Sequence, residues 1–266
     1  MLSQDRAISP GTIAPKDIPA AAADVLERIR AQAPRVHCIT NAVAQNFSAN
    51  MLLAAGAIPS MTISVDEVAA FAQRADALLV NLGTFDAERR AAAEIAIEAA
   101  AAAGKPWLLD PVFIERSPRR TAFAQALLAR GPRAVRLNRP EFTALSGHDV
   151  DGAGLARFAQ SHGLTIGLTG ETDIVLAEGK LACVSNGDPM MTRVTAMGCA
   201  GSALVGACLA VEGDPWVATA SGLLILGVAG EIAAAQARGP GSLAVGILDA
   251  LHTLDRATLT DRARVA

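Results

Sequence analysis

From Val36 to Thr169, short runs of β-branched and aliphatic residues alternate with longer alanine-rich stretches. The runs Val36–Ile39, Ile58–Met61, Ala77–Asn81, Pro106–Leu109, Ala134–Leu137 and Leu164–Thr169 have the composition of buried strands. Between them, Asn46–Ala55, Val65–Arg74, Asp86–Ala103 and Arg120–Arg130 have helical composition, and Ser64 and Glu67 stand at capping-box spacing. Strands that alternate with helices predict parallel βαβ units in an α/β sandwich. Past Thr169 the pattern changes. Asp173–Ala177 and Lys180–Val184 flank Glu178-Gly179 and predict an antiparallel hairpin, and helices are then expected at Cys199–Val211, Pro215–Gln236 and Gly241–Leu254.

The longest apolar run, Trp216 to Gly230, is broken by Thr219 and Ser221 and closed by Glu231, so it reads as a buried core helix rather than a membrane span. No shift in composition marks a linker and no internal repeat is present, which predicts a single domain over residues 1–266. Residues 1–16 read as a loose lead-in, within a proline-bearing stretch that runs to Pro19. The first ten residues lack the basic-then-apolar build of a signal peptide, and a cytoplasmic location is expected.

Composition narrows the partners. The chain has 266 residues, of which 52% are hydrophobic, ample for a core that needs no disulfide staple. A formal charge of −3 and a pI near 5.8 lack the footprint of a nucleic-acid binder. Cys38, Cys183, Cys199 and Cys208 show no CxxC spacing, which argues for reduced thiols rather than a zinc site or a disulfide framework. His37, His148, His162 and His252 show no spacing suggestive of a dyad or a metal site.

Open α/β sheets collect ligands at the carboxyl ends of their strands. Here those ends carry Thr40-Asn41, Met61-Thr62, Asn81-Leu82-Gly83-Thr84, Asp110-Pro111, Asn138-Arg139-Pro140-Glu141 and Thr169-Gly170-Glu171. The segment Thr195–Ser202 runs from small residues into an apolar helix, so its first N–H groups suit an anion, with the Cys199 thiol among them. It lacks the Lys-Ser/Thr of a Walker A loop and comes too late for a dinucleotide fingerprint. Close helix packing is the plain alternative. Glu141 reads either as a neighbour of a bound metal or as a first-turn acid favoured by the helix dipole, and Asp110 as a ligand-facing acid or a turn residue.

These motifs resemble a known family. The run from His37 through Asn41, Val43, Asn46, Asn50, Gly56 and Pro59 to Met61 is similar to the N-terminal signature of hydroxyethylthiazole kinases. The resemblance continues through Asn81–Thr84, Leu109–Val112, Arg136–Asn138, Leu168–Glu171, Val194–Cys199, Ala229–Glu231 and Gly239–Ser242. It implies a ribokinase-like three-layer α/β/α sandwich with a mainly parallel central sheet. It also implies transfer of the ATP γ-phosphoryl group to 4-methyl-5-(2-hydroxyethyl)thiazole, a thiamine salvage step, by a homotrimer with sites between subunits.

Carried over by position, Asn41, Val43, Met61 and Ala196 would line the thiazole pocket, while Arg136, Thr169 and Asn138 would meet ATP. Asp110 and Glu141 would lie on the Mg²⁺ side. The backbone of Ala196, Met197, Gly198 and Cys199 would form the anion hole, with the thiol facing the attacking hydroxyl where most ribokinase-like enzymes have Asp. Phe113–Arg120 departs from the family's Gly-rich loop, and either carries Arg116 or Arg119 to ATP phosphates or is an exposed variable loop. Three other readings stay open: a kinase of a pyrimidine or pyridoxal-type alcohol, a non-catalytic thiazole- or nucleotide-binding trimer, and Cys199 as a nucleophile in acyl transfer.

Overall fold

A computed structural model describes residues 13–266. Its centre is an eight-stranded sheet in the order β2-β1-β3-β4-β5-β6-β7-β8. The strands are β1 (Arg35–Ile39), β2 (Ile58–Ser60), β3 (Ala77–Asn81), β4 (Trp107–Asp110), β5 (Ala134–Asn138), β6 (Thr165–Thr169), β7 (Asp173–Ala177) and β8 (Lys180–Val184). β1 to β6 pair in parallel, and β7 and β8 add the expected antiparallel hairpin.

Both faces of the sheet are covered, which is why its strands read as nearly continuous apolar runs. Side chains alternate along each strand between two cores. Leu79 and Leu108 face a layer made by α1 (Ile18–Gln32), α2 (Gln45–Ala55), α8 (Met197–Val211), α9 (Pro215–Ala234) and α10 (Pro240–Thr253). Leu78, Val80 and Leu109 face the opposite layer, of α3 (Val68–Arg74), α4 (Ala87–Ala102), α5 (Pro118–Leu128), α6 (Arg139–Ser146) and α7 (Gly152–His162). The short α11 (Arg256–Arg262) then leads to an exchange of backbone hydrogen bonds between Ala266 and Cys183, which covers part of the β8 edge.

Several expectations change. Residues 1–12 of the expected lead-in lie outside the described residues, but from Pro15 the chain already turns in a 3-10 helix and enters α1. Prolines fit there because a helix's first N–H groups have no partner to lose. Ile18, Ala22, Val25, Leu26 and Ile29 then form a buried stripe. The capping box of Ser64 and Glu67 does not form: α3 begins only at Val68, Ser64 offers its backbone carbonyl, and the Glu67 carboxylate accepts the Thr62 hydroxyl at 2.5 Å.

Helices α7 and α11 were not anticipated. Gly152 and Gly154 dilute the helical pattern of α7, yet Asp151 caps it by accepting from the Gly154 N–H at 2.6 Å. α9 ends two residues before the expected Gln236, and at 20 residues it is long and apolar enough to cross a membrane. It is instead a core helix, with the Trp216 indole donating to the Val175 carbonyl at 3.1 Å.

Candidate active site

The carboxyl ends of β1, β3 and β4 carry Asn41, Asn81 and Asp110, all buried despite their polarity. Burial on this scale requires hydrogen-bond partners, and each has them. Asn81 donates from Nδ2 to Asp110 Oδ2 at 2.7 Å, and the same oxygen accepts the Ser202 hydroxyl of α8 at 2.7 Å. Asn41 donates from Nδ2 to Asn81 Oδ1 at 3.0 Å and to Cys199 Sγ at 3.2 Å. A continuous polar chain therefore joins the thiol to the carboxylate. Gly83 is small because of it: a Cβ there would stand 2.7 Å from the Asn41 side chain.

The thiol sits in the first turn of α8, a 15-residue helix whose Ala196 cap adopts a left-handed conformation at φ 64°. A non-glycine residue held there stores on the order of 1–3 kcal/mol of strain, which the surrounding structure must offset. Its effect is to aim the helix start at the strand ends. Among the described residues, the N–H groups of Gly198 and Cys199 have no backbone acceptor, so they stand open at the positive end of the helix. Arg136, on β5, lies directly beside them: a Cβ on Gly198 would stand 3.0 Å from its Nη1. The buried Arg136 Nε has no hydrogen-bond partner among the described residues. A guanidinium edge and two amides without acceptors form a ready anion site.

Burial pushes the Cys199 thiol up to about 11, with the Asp110 charge adding to it and the two asparagine donors opposing it. A helix N-terminus lowers a thiol, but here desolvation and the neighbouring carboxylate win. The thiol is protonated at neutral pH. Burial likewise raises Asp110, opposed first by Arg136 and then by the Ser202 and Asn81 hydrogen bonds. Glu141 is raised by burial and by Asp110, so the two carboxylates feel one another.

Glu141 is a first-turn acid of α6. Its carboxylate accepts from the Asn138 N–H at 2.9 Å while Asn138 Oδ1 accepts from the Glu141 N–H at 3.0 Å, a capping box that opens α6. The other carboxylate oxygen accepts from the Phe113 N–H at 2.8 Å. Val112 and Phe113 both have positive φ, at 37° and 55°, so Glu141 anchors a strained turn at the rim of the site.

The Phe113–Arg120 segment is not an open loop. Ile114 is fully buried in a 3-10 turn, and α5 starts at Pro118. Arg116 pairs with neighbouring Glu115 and lies over the Phe113 ring. Arg120 turns back instead and donates to the carbonyls of Val112 at 2.7 Å and Gly83 at 3.3 Å.

The structure thus gathers Asn41, Asp110, Arg136, Glu141, Gly198 and Cys199 at one rim. Thr169 and Asn138 are register partners at the ends of β6 and β5. The Asn138 side chain is engaged as a helix cap, and Met61 packs half-buried against the core on the α1, α2, α8, α9 and α10 side of the sheet. Val43 is 68% exposed. The residues passed over were Asn81, Ser202 and Arg120. The first two stood within motifs already singled out, and only their partners across the fold give them a role.

A family model described as the hydroxyethylthiazole kinase family matches residues 26–257. The chain belongs to the hydroxyethylthiazole kinase family. A hydroxyethylthiazole kinase of Granulibacter bethesdensis is 46% identical over 253 residues, which span 90% of this chain and 92% of that protein. Among solved structures, a hydroxyethylthiazole kinase protein from Pyrococcus horikoshii OT3 superposes with a TM-score of 0.87 at 35% identity, covering 92% of this chain and 98% of the other. A ribokinase-like superfamily protein from Enterococcus faecalis shares the fold with a TM-score of 0.66 at 14% identity, covering 88% of this chain and 95% of its own. The expected ribokinase-like sandwich is therefore the fold of this family member.

Proposed function

We propose that this family member transfers the γ-phosphoryl group of ATP to the hydroxyl of 4-methyl-5-(2-hydroxyethyl)thiazole, acting as a single kinase domain in the cytoplasm. The observation that carries this reading is the Cys199 thiol, held by Asn41 in the first turn of α8 beside two open amides and the half-buried Arg136, whose buried Nε has no partner among the described residues. Phosphoryl transfer needs two partners in line and donors for the charge on the moving group. Gly198 and Cys199 N–H groups and Arg136 supply those donors, within an anion hole that also includes the backbone of Ala196 and Met197. Asn41, Val43, Met61 and Ala196 hold the thiazole, and Thr169 and Asn138 stand on the nucleotide side with Arg136.

A protonated thiol cannot serve as a strong base, so Cys199 chiefly orients the attacking alcohol. Asp110 and Glu141 suit Mg²⁺, a hard ion that takes one or two carboxylates and completes its shell with water and phosphate oxygens. When bound, Mg²⁺ would neutralise phosphate charge. The ionic state of the two carboxylates and their placement beside Arg136 are this chain's own contribution.

We further propose a homotrimer with the thiazole pocket completed between subunits. Val43 supports it, because a pocket residue that is 68% exposed in one chain needs a second surface to enclose a substrate. Most exposed large hydrophobics fall between Val43 and Phe71, among them Leu53, Ile58 and Val65.

The deciding assay supplies purified protein with Mg·ATP and a panel of thiazole, pyrimidine and pyridoxal alcohols. ADP should form together with the thiazole phosphate. Turnover of a pyrimidine alcohol without the thiazole would overturn the assignment, as would acylation of Cys199 by a thiol-reactive acyl substrate in place of phosphorylation.

A further inference from the structure

Asn81 is 1% exposed and belongs to none of the groups so far placed on substrate, nucleotide or metal. Its side-chain amide has no freedom to turn over. The Gly83 N–H can only donate, and it lies 3.1 Å from Asn81 Oδ1, so the Asn81 nitrogen must face Asp110 Oδ2. The same logic fixes Asn41, whose Oδ1 accepts from the Ala44 N–H at 3.0 Å and whose nitrogen must therefore face Asn81 and Cys199. Two backbone amides thus set the polarity of the whole chain. Asp110 Oδ2 can only accept, from Asn81 and from Ser202, and the Cys199 sulfur accepts from Asn41.

We propose that Asn81 is a positioning residue for phosphoryl transfer: through Asn41 it ties the orientation of the Cys199 sulfur to the Asp110 carboxylate. Its hydrogen bonds run to Asp110, Asn41 and the Gly83 N–H, and its amide also acts on the nearby Cys199 thiol. Its effect runs through two neighbours at once, Asp110 on one side and Asn41 on the other, and the Gly83 turn exists in this close form because the two asparagines approach it. Ser202 is its contrast. That hydroxyl also donates to Asp110 Oδ2, with the Gly198 carbonyl as a longer alternative acceptor at 3.3 Å, and no hydrogen bond links it to Asn41.

A double-mutant cycle with Cys199 separates this role from plain structural support. Asn81→Ala should lower kcat by about thirtyfold with each KM within about threefold, but by only about threefold when Cys199 is already alanine. Equal losses in both backgrounds overturn the proposal. Should Asn81→Ala fail to fold, Asn81→Ser takes its place in the same cycle. A second measurement does not depend on the kinase reading: the rate of iodoacetamide labelling of Cys199, followed by mass spectrometry without nucleotide. Asn81→Ala should change that rate by about fivefold or more and Ser202→Ala by less than about twofold. A Cys199 labelling rate that Asn81→Ala leaves unchanged overturns the link to the thiol, whatever the assay of turnover shows.

Discussion

Cys199 sits at the start of α8 beside Asp110 and Asn41, and its environment decides what it can do. A thiol pushed up to about 11 by burial and by Asp110 stays protonated through the physiological range. Cys199→Ala should therefore reduce turnover only moderately, by about tenfold, whereas Cys199→Asp should keep or raise it, since a carboxylate accepts a proton more readily at pH 7. Steady-state kinetics of the two variants check this, and complete inactivity of a folded Asp variant would falsify the orienting role. His37 offers a separate residue-scale prediction. Fully buried and bonded through Nδ1 to Ser60 Oγ at 2.8 Å, it is lowered by desolvation to about 4. The unfolded chain then binds a proton near pH 6.5 that the folded chain refuses, so stability is intact above that pH and is lost as pH falls toward 4. The loss approaches about 3 kcal/mol for a shift of this size. Thermal melts should show a shallower acid decline in His37→Gln than in the native chain.

At the scale of elements, the site depends on how helices begin. The start of α8 is tight at Gly198, where a Cβ would stand 3.0 Å from Arg136 Nη1 and press on the guanidinium. Gly198→Ala should displace the guanidinium and raise the KM for ATP by about tenfold, equivalent to about 1.4 kcal/mol, with little change in melting temperature. The start of α6 behaves differently, because Glu141 caps the helix and holds the Phe113 turn as well. In Glu141→Gln one carboxylate acceptor becomes an NH₂ group facing a backbone N–H. Denaturant titration should show a loss of about 2 kcal/mol, the worth of a buried hydrogen bond to a charged group, together with a higher Mg²⁺ requirement. Helix α1 carries a related lesson: its prolines read as loop residues in sequence, yet at a helix start they cost nothing, and the buried stripe from Ile18 to Ile29 decides the structure.

For the whole molecule, the two sheet edges differ. The β8 side is partly covered by the returning C-terminal residues, while β2 ends the sheet with Ile58 and Phe71 exposed nearby. Association through the Val43 to Phe71 region should give light-scattering masses of three copies. Phe71→Glu should shift the mass to that of a single chain and raise the KM for the alcohol, because the pocket would lose its second wall. A native chain that stays a monomer while turning over the thiazole at full rate would remove the shared-pocket proposal.

The sequence by itself determined the strands from Val36 onward, most of the helices between and after them though not α7 or α11, the antiparallel hairpin, and the rim on which the chemistry gathers. These follow from local apolar periodicity and turn residues, which act over a few positions and so can be read along the chain. It also carried the family motifs that name Asn41, Asp110, Arg136, Glu141 and Cys199 as candidates. Only the tertiary structure decided how they act on one another. The protonation of the Cys199 thiol, the unpartnered edge of Arg136, the double duty of Glu141 and the Asp110–Asn81–Asn41–Cys199 chain all depend on desolvation and on contacts between residues far apart in sequence. Neither quantity exists until the strands lie side by side, and a helix dipole that would have lowered the thiol is outweighed only once the site is buried.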